Sequence, residues 1–139
     1  MKLSGKVVRD GEAKGEALVS EEPISFLGGI DPETGEVIEQ GHQLENKCVK
    51  NRVLVFPHGK GSTVGSYVLY QLARNGNAPV AIINDSAEPI VAVGAIIADI
   101  PMVHKLDKKA TELIEDGDII TIQGKNVRVE KIGSTSRKT

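Results

Sequence analysis

The residues of this chain best suited to chemistry lie in one glycine-rich segment, Gly59-Lys60-Gly61-Ser62-Thr63. A β-branched run at 53–56 precedes it and an apolar stripe at helical spacing, 64–73, follows it, so the pattern predicts a strand, a turn and a helix. Glycine allows positive φ and a close approach of backbone to ligand. Ser62 and Thr63 fall where the helix is expected to begin, beside unpaired N–H groups and the positive end of the helix dipole. The segment therefore predicts a site for an anionic substrate or a developing oxyanion.

The alternative interpretation of Ser62 and Thr63 is that they only cap the helix, because Ser and Thr are preferred N-cap residues. The density of small and polar residues argues against this alternative, since seven of the eight positions in 59–66 are Gly, Lys, Ser or Thr. Other phosphate-binding loops do not fit. A P-loop lysine follows its second glycine, whereas Lys60 precedes Gly61. The dinucleotide-binding fingerprint needs Gly or Ala where this chain has Val64.

The same segment resembles the Gly-x-Gly-Ser-Ser turn on the small swivelling domain of aconitase-type hydro-lyases, in which the first Ser is the catalytic base. With the flanking residues 64–68 and the downstream segment 94–101, the chain is similar over nearly its whole length to the small subunit of the aconitase X family. The resemblance implies that Ser62 is the catalytic base. It also implies substrate contacts from four neighbours: Gly59, Lys60, Gly61 and Thr63.

Two positions depart from related patterns. Aconitase and isopropylmalate isomerase follow their serine pair with an Arg that binds a substrate carboxylate, and Val64 stands in that place. This argues against citrate-like or isopropylmalate-like substrates. Lys60 stands where Arg is common in the aconitase X pattern, which keeps a positive charge but loses the two-pronged guanidinium.

The resemblance implies the small subunit of a heterodimeric hydro-lyase that is active only with a large aconitase X subunit. Among archaea the implied reaction is dehydration of (R)-5-phosphomevalonate to trans-anhydromevalonate 5-phosphate in a modified mevalonate pathway. A [4Fe–4S] iron–sulfur cluster is expected on the large subunit, and no metal or cofactor on this chain. Three alternatives stay open: a dehydratase subunit for another hydroxy acid such as cis-3-hydroxyproline, a non-catalytic phosphate-binding module, and a non-catalytic interaction module.

The amino-acid composition limits the classes of protein to which this chain can belong. The 139 residues are 40% hydrophobic, with two Phe, two Tyr and no Trp, which predicts a single domain, 1–139, with an aliphatic core. A net charge of −2 gives no electrostatic basis for binding nucleic acid. No apolar run has the length of a membrane span or signal peptide, so a cytosolic protein is expected. The lone Cys48 cannot hold a cluster and is predicted to be a buried apolar thiol.

The pattern of elements predicts an α/β fold, and the resemblance implies the swivelling β/β/α barrel of the aconitase small domain. A plain β-barrel is the alternative if the apolar segment 88–98, marked as a helix by Ile90, Val93 and Ile97, is a strand. Asn75-Gly76 is expected to end the first helix. Strands are expected at 6–9, 16–19, 24–27, 53–56, 80–83 and near 103, with a helical turn at 110–114 and a closing hairpin at 118–122 and 126–131.

The remaining polar candidates have simpler structural interpretations. His58 is expected to be a turn residue rather than an acid or base, and His42 and His104 have no second ligand at metal spacing. The cluster 84–88 follows a buried strand, a position that often carries site residues. The favoured interpretation is that Asp85 or Ser86 caps the following helix, with Glu88 in its first turn.

Overall fold

The computed structural model describes residues 1–131, which form one eight-stranded sheet and three helices. The strands are β1 (Lys2–Ser4), β2 (Lys6–Arg9), β3 (Glu12–Val19), β4 (Arg52–Phe56), β5 (Ala81–Asn84), β6 (Met102–His104), β7 (Ile119–Gln123) and β8 (Asn126–Glu130). The helices are α1 (Gly65–Arg74), α2 (Pro89–Ile97) and α3 (Ala110–Leu113).

Four neighbouring strands, β3, β4, β5 and β6, run parallel, and α1 and α2 provide the crossovers after β4 and β5. The other strands pair antiparallel, giving the order β1-β8-β7-β3-β4-β5-β6-β2. β1 and β2 lie at opposite edges of this order, yet only Gly5 separates them in the chain. The sheet must therefore curl until its edges meet, which confirms the barrel-like α/β fold. The plain β-barrel alternative is wrong, because the segment on which it depended is the helix α2, Pro89–Ile97.

The curled sheet has a hydrophobic core on each face. β4 illustrates this arrangement, because Val53 and Val55 pack into one core and Leu54 and Phe56 into the other, all fully buried. When a parallel sheet is covered on both faces, the sequences of its strands are nearly continuous runs of apolar residues. α1, α2 and the segment 24–49 cover one face, and α3 contributes to the core on the other. The carboxyl end of β4, where the glycine-rich segment begins, is thus fixed from both sides.

Most predicted elements are present with bounds shifted by one or two residues, and Asn75 and Gly76 end α1 as expected, with Gly76 at φ 74°. The expected strand 24–27 is wrong, because only Ile24 forms a β-bridge. The strand β1 is present without having been predicted. Within residues 1–131, no helix is both long enough and apolar enough to span a membrane.

The prediction of a buried thiol at Cys48 is wrong, because the side chain is exposed. Its neighbour Val49 is fully buried, and successive residues of an extended segment point to opposite sides. Val49 therefore takes the inward position and leaves Cys48 outside, where its Sγ donates to the Thr34 carbonyl at 3.5 Å.

Candidate functional site

The glycine-rich segment leaves the carboxyl end of β4 and is anchored to a neighbouring segment before it reaches α1. Ile24 N–H donates to the His58 carbonyl at 3.3 Å, and Lys60 N–H donates to the Ile24 carbonyl at 3.0 Å. These two bonds form a short parallel bridge between Ile24 and Gly59. Sequence reasoning missed this anchor, because no pattern within the expected strand 24–27 shows that one residue of it pairs with the loop.

Gly59 and Gly61 are both required by the geometry of the loop, for different reasons. A Cβ on Gly59 would lie 2.3 Å from Val91 Cγ2 and 2.5 Å from Glu88 Oε1, so the backbone here lies directly against the start of α2. Gly61 has φ 93°, in the region that side chains disfavour, and a Cβ on it would lie 2.7 Å from Ser25 Oγ. The close approach predicted at these glycines includes contacts within the chain.

Ser62 is exposed and begins a helical turn that leads into α1. Its Oγ accepts the Val64 N–H at 3.1 Å and its carbonyl accepts the Gly65 N–H at 2.9 Å. The Thr63 carbonyl accepts the Ser66 N–H at 3.2 Å. α1 itself begins only at Gly65, with Val64 as an N-cap that provides no side-chain bond. The expected helix start at Ser62 or Thr63 was thus two or three residues early, because a tight turn comes first.

Three consecutive backbone amides of this turn, that of Ser62 and those on either side of it in the chain, have no acceptor within residues 1–131. Within the described part of the chain, no hydrogen bond uses the N–H of Gly61, Ser62 or Thr63. Successive amides in a turn with one left-handed residue form a concave site for anions, and the N-terminus of α1 adds the positive end of its dipole. The arrangement can hold an anionic ligand atom or stabilise a deprotonated oxygen at this position.

Lys60 is half exposed, and its ammonium lies 3.5 Å from the Glu39 carboxylate. Both residues line a shallow depression of about 330 Å³ beside the loop, together with Ser25, 27–29 and Gly61. No sequence pattern indicates the pairing with Glu39, which lies 21 positions earlier in the chain. A ligand anion that contacts Lys60 must therefore compete with this carboxylate.

The three histidines take structural positions. His58 Nδ1 lies 2.7 Å from the carbonyl of Gly59, consistent with the predicted turn. The buried His42 accepts the Leu44 N–H at Nδ1 and lies 3.0 Å from the Pro23 carbonyl through Nε2. Among residues 1–131 no group of three or more His, Cys, Asp or Glu side chains could hold a metal ion.

His104 holds the entrance to α2. Its Nδ1 accepts the Ala87 N–H at 2.8 Å, which requires an unprotonated Nδ1. Burial lowers the pKa of His104, and the positive charges of Lys105 and Lys6 lower it further. The structure therefore favours the neutral ring.

The predicted capping of α2 by Asp85 or Ser86 is wrong. Glu88 is the N-cap, and its carboxylate accepts the Ile90 N–H at 3.0 Å and the Val91 N–H at 2.8 Å. Asp85 instead accepts two hydrogen bonds from Thr111 on α3, at 3.2 Å from its N–H and 2.7 Å from its hydroxyl. Pro89 at the first position of the helix was the signal that marks the preceding residue as the cap.

A family model, named relatives and a solved structure match this chain over most of its length. The family model described as aconitase X swivel domain matches residues 2–131. A phosphomevalonate dehydratase small subunit from Methanosarcina acetivorans is 57% identical over 132 residues, covering 95% of this chain and 92% of the relative. A second protein of that name, from Methanocella arvoryzae, is 60% identical over 124 residues, which cover 89% of this chain and 94% of the relative.

A solved structure shares the architecture. The crystal structure of Thermococcus kodakaraensis aconitase X in its holo-form matches with a TM-score of 0.88 and 46% identity, over 93% of this chain and 98% of that one. The match of the family model, the identities and the shared fold lead to one conclusion: the chain belongs to the aconitase X swivel domain family.

Proposed function

We propose that this chain is the small subunit of a phosphomevalonate dehydratase, a heteromeric hydro-lyase, and that Ser62 is its catalytic base. The observation that carries the proposal is the exposed Ser62 hydroxyl beside the three available amides of residues 61–63. The relatives with that name share 57% and 60% of its residues over most of both chains, which supports the choice of substrate. The substrate is then (R)-5-phosphomevalonate and the product trans-anhydromevalonate 5-phosphate.

Ser62 Oγ takes a proton from the carbon next to the one that carries the leaving hydroxyl. The C–H electron pair forms the new double bond, and the hydroxyl leaves with the C–O electron pair as hydroxide. The proton taken up by Oγ is then returned to that hydroxide, directly or through solvent, so that one water is released and the Ser62 alkoxide is restored. A serine hydroxyl is a poor base unless its alkoxide is stabilised. Hydrogen bonds to a charged form favour that form, and Oγ already accepts the Val64 N–H at 3.1 Å. The available amides of residues 61–63 and the dipole of α1 provide further stabilisation in a site from which water is excluded.

The iron–sulfur cluster belongs on the large subunit in this proposal. Residues 1–131 contain a single Cys, at position 48, and no group of side chains able to hold a metal ion. Cluster coordination takes three or four ligands, so this part of the chain does not fit the role. When bound, such a cluster supplies Lewis-acid chemistry.

Four neighbours of Ser62 complete the proposed substrate contacts. In this proposal the amides of Gly61 and Thr63, which have no acceptor within residues 1–131, donate to an anionic group of the substrate. Gly59 allows the loop backbone to lie directly against the start of α2. Lys60 carries the positive charge, which a substrate phosphate or carboxylate engages by displacing Glu39 from its 3.5 Å contact. A site divided between two subunits admits substrate when open, and closure then excludes water and assembles the reacting groups.

We further propose that residues 1–139 form one swivelling domain that works in the cytosol with the large subunit, without nucleic acid or a membrane. Strands from both ends of the described chain, β1 and β8, pair in the same sheet, which supports a single domain. The net charge of −2 supports the absence of a nucleic-acid partner.

The test is Ser62→Ala in the assembled enzyme, with Thr63→Ala as the matched control. Loss of a base should lower kcat at least about 10²-fold with little change in substrate affinity. Loss of a cap alone should cost about 1 kcal/mol of stability and leave turnover nearly unchanged. Equal and modest losses of activity in both variants, together with earlier melting, would show that Ser62 is only a capping residue.

A further inference from the structure

The helix α2 contains no polar side chain, yet one of its faces is exposed. Its sequence is Pro-Ile-Val-Ala-Val-Gly-Ala-Ile-Ile, and Val91, Gly94 and Ala95 are its buried residues. Val93, Ile96 and Ile97 stay 48%, 51% and 40% exposed. A helix that is apolar on every side is normally buried on every side, so the outward face of α2 lacks its covering in this chain alone.

Two elements that contact α2 also carry exposed apolar side chains. α2 packs closely on α1, because a Cβ on Gly94 would lie 2.6 Å from Leu69 Cδ1 and 3.2 Å from Ser66 Cα. On α1, Tyr67 is 64% exposed; on β2, which also contacts α2, Val7 is 42% exposed. We call Val7, Tyr67, Val93, Ile96 and Ile97 the α2 face.

One end of the α2 face adjoins the proposed active site, because a Cβ on Gly65 would lie 3.3 Å from Ile90 Cγ2 in the first turn of α2. α1 follows the Ser62 turn directly, and the first residue after Thr63 is Val64, an apolar side chain that is 48% exposed. The start of α2 lies against the other end of the loop, because the space beside Gly59 is filled by Glu88 and Val91. A subunit that presents substrate to Ser62 would therefore already lie beside these apolar residues.

We infer that the α2 face is the surface on which the large subunit docks. This inference rests on the proposed function, which makes the large subunit the partner. The relatives at 57% and 60% identity are named small subunits, which supports a larger partner for this family. Exposed apolar patches next to a functional site are typical of protein–protein interfaces. In the assembled complex such apolar side chains form the buried centre of the interface, and polar residues surround them.

The test measures assembly separately from catalysis. The dissociation constant between this chain and its large subunit is measured for wild type, Val93→Glu, Ile96→Glu and the matched control Gln123→Glu. Gln123 is exposed on the β7–β8 hairpin, so the control adds the same charge to another surface. Val93→Glu and Ile96→Glu should each weaken assembly at least about 10-fold, since an ionised carboxylate would be buried without a partner. The control should bind as wild type does.

Thermal melting of each isolated variant shows whether the small subunit is still folded. Amide hydrogen exchange of the wild-type chain, with and without the large subunit, locates the interface without any mutation. Amides of α2 and of residues 64–67 should exchange more slowly in the complex. Wild-type affinity in both glutamate variants, or protection confined to another surface, would overturn the inference and leave the proposed function intact. A wild-type chain that never binds the large subunit would overturn both. A dimer of this chain that Ile96→Glu dissociates would assign the α2 face to a second copy instead.

Discussion

Two neighbouring units of this molecule share one architecture and differ at the turn between strand and helix. β4 leads through the glycine-rich loop into α1, and β5 leads through residues 85–88 into α2. The second turn is closed, because Glu88 accepts two amides of α2 and Asp85 accepts two hydrogen bonds from α3. The first turn satisfies one amide through Ser62 Oγ and leaves three consecutive amides without an acceptor in the described chain.

The difference separates a turn built for stability from a turn suited to a ligand. Where a side-chain carboxylate accepts the first amides of a helix, these hydrogen bonds stabilise the folded chain by itself. Where the first amides have no acceptor, the corresponding stabilisation comes only when an anion binds. The closed turn also supports the open one, because Glu88 and Val91 fill the space beside Gly59. The second unit therefore holds the first in position.

The largest expected effect concerns the open turn. The isolated chain should be folded but without dehydratase activity, because the proposed base needs substrate and an electrophile that another subunit presents. The measurement is dehydration of (R)-5-phosphomevalonate by the purified chain with and without its large subunit. Turnover by the chain alone would contradict the division of the site between two subunits.

The next effect tests whether the closed turn positions the open one. Gly59→Ala places a methyl group 2.3 Å from Val91 Cγ2 and 2.5 Å from Glu88 Oε1, so the loop must move away from α2. A displacement of the reacting group by about 1 Å can cost about 10²-fold in rate, and overpacking costs about 1–3 kcal/mol of stability. Steady-state kinetics of the assembled enzyme and thermal melting measure the two effects.

Gly41→Ala is the control for this substitution. Gly41 has φ 82° and open space where its Cβ would lie, so alanine there costs about 1–2 kcal/mol of backbone strain without pushing on the loop. Similar stability losses with a rate loss only for Gly59→Ala would support the positioning role. Equal rates in the two variants would show that the loop tolerates displacement.

The sequence predicted the elements of this site better than the contacts between them. The β-branched run before Gly59 and the apolar stripe after Ser62 identified β4 and α1, because hydrophobic periodicity is a local property. The bridge from Ile24 to the loop and the pair of Lys60 with Glu39 join residues more than 20 positions apart. Tertiary packing sets such contacts, and a single sequence carries no local signal for them.

The stripe of Ile90, Val93 and Ile97 shows the same limit in another way. It correctly predicted a helix, but Val93 and Ile97 lie outward and α2 buries Val91, Gly94 and Ala95 instead. Where every position of a helix is apolar, periodicity cannot identify the buried face. The small residue Gly94 decides it, because only a position without a side chain allows the close approach to Leu69.

A smaller effect compares the two turns in stability alone. Glu88→Ala removes the acceptor of two amides and should cost about 1 kcal/mol, whereas Glu88→Gln keeps an acceptor oxygen and should cost less. Ser62→Ala removes the acceptor of one amide and should cost less than Glu88→Ala, although it affects turnover far more. Chemical denaturation of the isolated chain measures all three variants. A larger stability loss for Ser62→Ala would mean that the open turn is the main capping site.

The smallest effect is the pH dependence of the closed turn. The pKa of His104 is lowered from its usual 6.5, chiefly by burial and then by the charges of Lys105 and Lys6, so the unfolded chain binds the proton more readily than the folded one. Stability from the neutral ring is therefore fully present above pH 6.5 and is lost as pH falls from there toward the lower pKa of the folded state. Protonation at Nδ1 would also remove the acceptor of the Ala87 N–H, which loosens the entrance to α2.

Melting temperatures of wild type and His104→Gln, measured from pH 8 down to pH 5, should diverge below pH 6.5, with wild type falling more steeply. His58→Gln is the control, because the ring of His58 hydrogen-bonds the carbonyl of its own neighbour, Gly59, and not the entrance to α2. Parallel curves for wild type and His104→Gln would show that His104 does not couple the closed turn to pH.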